Sequence, residues 1–322
     1  MRKISNDCLL KLLQLPRIGR KTAFKIINNL VNCINTDDEL FDFLLNPNIK
    51  LKLPNFDENQ ITAAITKANI ISSKNIELRI KTTSFYDDDY PFYLRNISDP
   101  PIVIYSLGDL SKLNVLPSVG IIGTRHPSPL GESSAIRFGE IFGEKKFNVV
   151  SGLALGCDVS AHIGCLSKSG FTTAVLAHGL DTIYPKQHKV VADKIINFGG
   201  VLISEYPVGQ SSRPNYFIER DRIQAGLSDG IIVIETDVKG GTMHTVGYAR
   251  EYNKLIGVFK HPDTTVPHSM MDGNKILLSD GSLSLANQSD IDDFVMKLNS
   301  SRSNYKLNIK NLTHNDNQLS LL

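Results

Sequence analysis

The sequence has no long hydrophobic run, few cysteines and no secretion signal. No stretch approaches the run of about eighteen apolar residues that a membrane-spanning helix needs. Residues 1–7 lack the apolar segment and the small-residue cleavage site of a signal peptide. The four cysteines form no C-x-x-C pair and are too few for a disulfide framework. We therefore expect a cytoplasmic protein with reduced thiols and no contact with a membrane.

The sequence also lacks a large net charge. Its formal value is +2. Residues 1–81 hold 13 Lys and Arg against 8 Asp and Glu, a balance of +5, and the remaining 241 residues hold 22 against 25, a balance of −3. Overall charge therefore does not predict a nucleic-acid partner, and any such binding has to come from local patches.

The chain divides into four segments by pattern. Residues 1–81 carry helical periodicity without a β-rich run, which predicts a small all-helical N-terminal domain. Residues 82–100 mix turn formers, aromatics and an acidic triplet, which is typical of a connector. Residues 101–299 alternate short β-branched runs with longer amphipathic ones. Residues 300–322 are polar and rich in Asn and Ser, which predicts a flexible tail.

The large segment predicts an α/β fold. Its candidate strands are 102–105, 119–123, 148–151, 172–177, 200–204, 230–235 and 254–259. These runs are apolar on both faces and most are separated by helix-length stretches, which indicates a mostly parallel sheet covered on both sides. We therefore expect a Rossmann-like, doubly wound sheet whose ligand crevice lies at the carboxyl ends of the strands.

Three glycine-containing turns follow predicted strands. They are Gly123-Thr124-Arg125, Ser151-Gly152 and Gly240-Gly241-Thr242. A strand–glycine–helix junction exposes unpaired backbone N–H groups and the positive end of a helix dipole, which suits a phosphate. Arg125 adds a guanidinium that can bind two phosphate oxygens. None of the turns matches G-x-G-x-x-G or the Walker lysine motif, so tight packing is the alternative interpretation.

The segment 213–222 combines three arginines with a Tyr-Phe pair. Cations beside aromatic rings suit single-stranded nucleic acid, because the cations meet phosphates while the rings stack on bases. The candidate contact residues are Asn215, Phe217, Arg220 and Arg222. The alternative is structural, with the arginines paired to neighbouring carboxylates and the phenylalanine in the core.

In the helical domain, residues 15–23 resemble a helix-hairpin-helix motif, which grips DNA phosphates without reading sequence. The candidate residues for this secondary DNA contact are Arg17, Gly19, Arg20 and Lys21. Arg17 stands where the usual pattern prefers glycine. A helical protein-docking module is the alternative interpretation.

The sequence offers no catalytic or metal motif. Cys157, His162 and Cys165 lack a fourth zinc ligand nearby, and no nucleophile elbow or H-E-x-x-H motif is present. We therefore expect no metal, no cofactor and no enzymatic activity.

The large segment resembles the DNA processing protein A (DprA/Smf) family. The matching pieces, in order and spacing, are 89–110, 119–131, 149–164, 178–188, 202–207 and 217–235. The resemblance implies a dimeric, non-enzymatic protein that binds and protects single-stranded DNA and helps to load a RecA-type recombinase in recombination, including natural transformation. It places Arg125 on a DNA phosphate and Lys186 near the strand, with Phe217, Arg220 and Arg222 framing the pocket.

The sequence departs from the family pattern at several positions, which indicates a divergent branch. Asp221 replaces the family's asparagine and Ile218 replaces its proline. A carboxylate beside two arginines is expected to weaken a phosphate pocket unless it orients one of them. No winged-helix pattern follows residue 265, which leaves the pathway open.

The chain also carries a short leucine-rich motif. Gln318-Leu319-Ser320-Leu321-Leu322 resembles the clamp-binding peptide of bacterial replication proteins. Its leucines would fill a hydrophobic cleft on the sliding clamp. An inert tail is the alternative.

Two other functions use a related fold. One is a nucleotide-hydrolysing enzyme of the phosphoribohydrolase type, whose P-G-G-x-G-T-x-x-E motif is matched here only by Gly240 and Gly241. Such an enzyme needs a carboxylate, for which Glu235 and Glu251 are the candidates. The other is a nucleotide-sensing module of a defence system.

Overall fold

The computed structural model describes residues 3–47, 53–262 and 271–319, with side chains up to residue 303. The N-terminal part contains four helices: α1 (Asn6–Gln14), α2 (Arg20–Asn29), α3 (Asp37–Leu45) and α4 (Glu58–Glu77). Two of them begin at capping boxes. The Thr36 side chain accepts from the backbone N–H of Glu39 in α3, and Asp57 accepts from that of Gln60 in α4. Each cap stabilises its helix by about 1 kcal/mol.

The rest of the chain builds a nine-stranded sheet with the order β1-β2-β6-β5-β4-β3-β7-β8-β9. The strands are β1 (Lys81–Ser84), β2 (Val103–Leu107), β3 (Ser118–Ile122), β4 (Asn148–Ser151), β5 (Thr172–Leu176), β6 (Val201–Ser204), β7 (Gly230–Val233), β8 (Leu255–Phe259) and β9 (Leu283–Leu285). The β1–β2 and β2–β6 pairs are antiparallel, and all other pairs are parallel. The mostly parallel α/β fold predicted from the sequence is confirmed.

Helices cover both faces of this sheet. They are α5 (Phe92–Arg95), α6 (Lys112–Val115), α7 (Pro129–Glu144), α8 (Cys157–Ser167), α9 (Lys189–Asn197), α10 (Pro214–Leu227), α11 (Thr242–Glu251), α12 (Asp272–Ser279) and α13 (Gln288–Leu319). Alternation along β7 shows why both are needed. Ile232 belongs to the same buried cluster as Phe142 of α7, whereas Ile231 belongs to a second cluster with Val246 of α11. Side chains that point to opposite faces and are all apolar require a layer on each side.

The strand order reverses at β3. From β3 the chain moves through α7 to β4 and onward to β5 and β6, and it then returns to place β7 on the other side of β3. Such a switch point opens a crevice at the carboxyl ends of the two strands, because the connections leave in opposite directions. Two of the predicted glycine turns follow these strands, and the third, Ser151-Gly152, lies at the end of the adjacent β4.

Two parts of the domain prediction differ from the structure. Residues 82–84 belong to β1 rather than to the connector, because this short polar segment pairs at the sheet edge with β2. The four residues of β1 are all polar, so the strand shows no hydrophobic pattern in the sequence. The backbone of residues 300–319, predicted as part of a flexible tail, is helical as the continuation of α13. The buried Phe294 and Leu298 anchor the first turns of that helix, from which helical hydrogen bonding propagates.

Close packing of α7 against α8 leads to a stability prediction. A Cβ added at Gly139 would lie 2.3 Å from the carbonyl oxygen of Ala161. We expect Gly139→Ala to lower the free energy of unfolding by about 1–3 kcal/mol, because the helices have to move apart. Urea unfolding measures the change. Gly247→Ala is the matched control, since an added Cβ on that exposed helical position meets nothing within 4 Å. Equal effects at both positions would contradict the prediction.

Candidate nucleic-acid interface

A crevice of about 390 Å³ lies at the carboxyl ends of β3 and β7. Eight residues predicted to bind nucleic acid line it: Gly123, Thr124, Arg125, Phe217, Arg220, Gly240, Gly241 and Thr242. They come from the loop after β3, from α10, and from the loop that leads into α11. The tertiary structure therefore brings together three motifs that are spread along the sequence between residues 123 and 242.

The loop after β3 is fixed from behind by the end of β7. The backbone N–H of Thr124 donates to the carbonyl oxygen of Glu235 at 2.8 Å. The Glu235 carboxylate accepts from the backbone N–H of Ser128 at 2.8 Å and also from its hydroxyl. A Cβ at Gly123 would lie 2.4 Å from the sulfur of Cys157, so only glycine fits there. The loop that carries Arg125 is thus preorganised.

Glu235 has a structural role that excludes the catalytic one considered for it. Its side chain is fully buried and also accepts from Nε2 of His261 at 2.6 Å. Glu251 ends α11, whereas the first turn of that helix lines the crevice. Neither carboxylate reaches the crevice, so the positions considered for a phosphoribohydrolase do not supply its catalytic group.

The loop after β7 is held by a residue that the sequence reasoning missed. The side-chain oxygen of Asn274 accepts from the backbone N–H of Thr236 at 2.9 Å, and its amide donates to the carbonyl oxygen of Ile234 at 2.7 Å. Asn274 lies in α12 and is almost completely buried. An Asn in a helix gives no pattern by itself, so only its contacts reveal that it positions the loop carrying Gly240 and Gly241.

Phe217 and Arg125 face each other at the mouth of the crevice. The guanidinium carbon of Arg125 lies 4.9 Å from the centroid of the Phe217 ring, a cation–π contact. Arg125 is exposed and Phe217 is half-buried. Tyr184 lies 6.2 Å from the Phe217 ring, and the two aromatics line a small neighbouring pocket together with Arg125. A cation and an aromatic face are therefore presented side by side.

Arg220 forms the buried wall of the crevice. Its side chain donates to the carbonyl oxygen of Val175 at 2.8 Å, and its Nε lies 3.2 Å from Oδ1 of Asp221. A Cβ at Gly152 would lie 1.5 Å from the Arg220 guanidinium. Gly152 therefore makes room for Arg220. The backbone N–H of Gly152 also donates to Asp158 at 3.1 Å.

Two carboxyl groups beside Arg220 have altered acidity. Burial raises the pKa of Asp221 to about 7, and the nearby Asp158 adds to the shift. Burial likewise raises the pKa of Asp158. Both side chains line the crevice. The electrostatics of the crevice near neutral pH therefore depend on the protonation of Asp221.

Two of the predicted contact residues prove to be structural. Arg222 is only 1% exposed and donates to both carboxylate oxygens of Glu205 at 2.7 and 2.8 Å. Its Nε donates to the carbonyl oxygen of Asp99 at 2.9 Å. Ser151 is fully buried and its hydroxyl donates to the carbonyl oxygen of Ile121 at 2.7 Å. The polar atoms of both side chains are bonded inside the protein, which favours a structural role for them over contact with DNA.

Lys186 and Asn215 lie outside the crevice lining. Lys186 begins a short 3₁₀ helix (Lys186–His188) just after Tyr184 and Pro185, which line the neighbouring pocket. Asn215 lies in the first turn of α10. Both side chains are exposed. Their contact with DNA stays a prediction.

The hairpin-like motif of the helical domain connects α1 to α2. Arg17 adopts a φ of 65°, the left-handed conformation that the glycine of the usual pattern takes easily. Arg20 is occupied by protein, since its Nε donates to Asp99 at 3.0 Å and its guanidinium lies 3.4 Å from Glu219. Arg20 therefore docks the helical domain onto the large one, and DNA contact by the exposed Arg17, Gly19 and Lys21 stays a prediction.

Several expectations concern other parts of the chain. Ser320, Leu321 and Leu322 of the clamp-peptide motif lie outside the described residues, as do the side chains of Gln318 and Leu319. Across the described ranges, none of the helices combines the length and apolar character that a bilayer crossing requires. In the same ranges, the ring of His162 contacts the Thr172 hydroxyl at 2.7 Å instead of grouping with Cys157 and Cys165 around a metal position.

Comparisons with known proteins identify the family of this chain. A family model described as DNA recombination-mediator protein A matches residues 81–298. Protein Smf of Synechocystis is 38% identical over 205 residues, which cover 61% of this chain and 51% of that protein. DNA processing protein DprA of Bacillus subtilis is 31% identical over 215 residues, which cover 67% of this chain and 70% of the relative. The chain thus spans about half the length of the Synechocystis relative.

Two solved structures resemble the fold. The X-ray structure of DNA processing protein A from Streptococcus pneumoniae has a TM-score of 0.66 at 26% identity, with 89% of this chain and 92% of that one covered. A structure describing the single-stranded DNA binding mode of the Helicobacter pylori protein has a TM-score of 0.59 at 30% identity, with 68% and 96% covered. The family match covers more than half of the sequence, including every strand of the sheet. The chain therefore belongs to the DNA recombination-mediator protein A family.

Proposed function

We propose that this protein binds single-stranded DNA in the crevice between β3 and β7. The observation that carries the proposal is the convergence of Arg125, Phe217 and Arg220 on one cavity. The two guanidiniums would meet phosphates, and the backbone N–H groups of the flanking glycine loops would add neutral donors. The H. pylori relative, whose structure describes a single-stranded DNA binding mode, supports single-stranded DNA as the ligand.

The geometry favours a single strand over a duplex. The Phe217 ring lies beside the Arg125 guanidinium, so a base that stacks on the ring would leave its own phosphate near a cation. Stacking on an aromatic side chain contributes about 1–3 kcal/mol per base and requires a base that is free of its partner strand. Bases in a duplex are already stacked and paired, so they gain nothing from Phe217.

We further propose that the bound strand is protected and handed to a RecA-type recombinase, and that the protein acts as a homodimer. Membership of a family described as recombination mediators supports this role. Relatives that are named DNA processing proteins support a role in DNA processing, and we include natural transformation in this proposal. Binding of the sliding clamp by the C-terminal motif stays a separate hypothesis.

Titration of a labelled oligonucleotide tests the proposed binding. We expect the single strand to bind more tightly than the matched duplex, with fluorescence anisotropy as the readout. If Arg125 and Arg220 each neutralise one phosphate, the slope of log K against log salt is about −1.4, because each contact to a single strand contributes about −0.7. Affinity then falls about sevenfold between 50 and 200 mM salt. Equal affinity for duplex, or release of free adenine from AMP, would refute the proposal.

A further inference from the structure

Asp221 occupies an unusual place for a carboxylate in a phosphate site. It lines the same crevice as Arg125 and Arg220 and is 8% exposed. The Arg220 guanidinium lies 3.2 Å from its Oδ1. The amide of Gln224, oriented to satisfy both of its partners, donates to the same oxygen at 3.1 Å and accepts from the backbone N–H of Gly152 at 2.7 Å.

Charged and titratable groups face Asp221 from every neighbouring element. They are Arg220 of its own helix, Asp158 of α8, Arg125 of the loop after β3 and Tyr248 of α11. Two buried carboxylates thus share one buried guanidinium. Full ionisation would leave the pair with an uncompensated negative charge in a poorly solvated place, which is costly. Burial accordingly raises the pKa of Asp221 to about 7.

A phosphate that enters the crevice adds a second anion to this cluster. It needs the same guanidiniums that Asp221 and Asp158 already attract, and its charge repels theirs. Protonation of one carboxyl group relieves both effects, since a neutral Asp221 frees Arg220 and can itself donate a hydrogen bond to a phosphate oxygen. Asp221 is the more accessible of the two, because Asp158 is held by the backbone N–H of Gly152.

We propose that Asp221 sets the affinity of this crevice for DNA: its carboxylate competes with phosphate for Arg125 and Arg220, and it takes up a proton from solvent when a nucleotide binds. The inference rests on the proposed function and deepens it.

The test compares the wild-type protein with Asp221→Asn. Affinity for an oligothymidylate is measured at constant ionic strength from about pH 6 to about pH 8.5, the range in which a carboxyl group raised this far titrates. We expect the affinity of the wild type to fall about tenfold from the low to the high end of this range. A bound phosphate that raises the pKa of Asp221 by about one unit changes the affinity by about a factor of ten between the protonated and the ionised protein. The variant should keep the wild-type affinity of pH 6 throughout.

Two controls isolate Asp221 from other titrating groups. His244 also lines the crevice, but it is present in both proteins and its contribution cancels in the ratio of their affinities. Asp193→Asn removes an exposed carboxylate on α9 that pairs with Lys189, and it should keep the pH profile of the wild type. Thermal unfolding confirms that the variants are folded.

Calorimetry of the unmodified protein provides a second measurement that needs no variant. Titrations in buffers of different ionisation enthalpy give the number of protons taken up with the DNA. At pH 7 this number should be near one half for the wild type and near zero for Asp221→Asn. Matching pH profiles in the two proteins, or no proton uptake by the wild type, would overturn the role of Asp221. Absence of binding by the wild type even at pH 6 would instead refute the proposed function.

Discussion

Replacing Arg125 by alanine is expected to weaken single-stranded DNA binding about 10- to 100-fold while leaving the fold intact. The Arg125 side chain is exposed and contacts the Phe217 ring at the crevice mouth, so its removal opens no cavity in the core. A hydrogen bond to a charged group contributes about 1.5–3 kcal/mol, which corresponds to this loss. Because the contact is to phosphate, the loss should be similar for oligonucleotides of different sequence.

Anisotropy titrations measure this change, and Arg250→Ala is the matched control. Arg250 is an exposed arginine in the last turn of α11, at the opposite end of that helix from the crevice, and it pairs with Asp280. The Arg125 variant should also show a salt slope shallower by about 0.7, whereas the Arg250 variant should keep the wild-type slope. Equal affinities for the two variants would show that DNA binds elsewhere on the surface.

Replacing Arg222 by methionine is expected to lower the free energy of unfolding by about 3–5 kcal/mol. The guanidinium is buried and binds both oxygens of Glu205 and the backbone of Asp99. Methionine preserves much of the volume, so the loss reflects a carboxylate left without its main partner in a poorly solvated place. Arg20 compensates this charge only in part, because its Nε lies 3.9 Å from Glu205, which is beyond hydrogen-bond distance.

Urea unfolding with circular dichroism checks this result. Lys189→Ala, which breaks an exposed pair with Asp193, should change stability by at most about 1 kcal/mol. A double variant with methionine at both Arg222 and Glu205 should recover much of the loss, since replacing a whole buried pair by apolar groups costs little. A single variant as stable as the wild type would show that the buried pair of Arg222 and Glu205 does not stabilise the fold.

The sequence alone determined the sheet and the loops that surround the crevice. Parallel strands buried on both faces show as continuous apolar runs, so the strand that ends before Gly123 and the strand that precedes Gly240 were both predicted. The carboxyl ends of parallel strands lie at one edge of the sheet, so the glycine turns that follow these strands were expected to lie close together. The polar β1 and the three-residue β9 escaped because they carry too few apolar residues to show a period.

Only the tertiary structure decided which charged side chains are available to a ligand. Arg220 and Arg222 are two residues apart in α10, which turns them by roughly 200° around the helix axis. One faces the crevice and the other binds Glu205. Periodicity fixes this angular separation but not the orientation of the helix, which depends on how α10 packs against the sheet and against α11. For the same reason the sequence could not show that Arg20 is bound to Asp99, or that Glu235 holds the loop that carries Arg125.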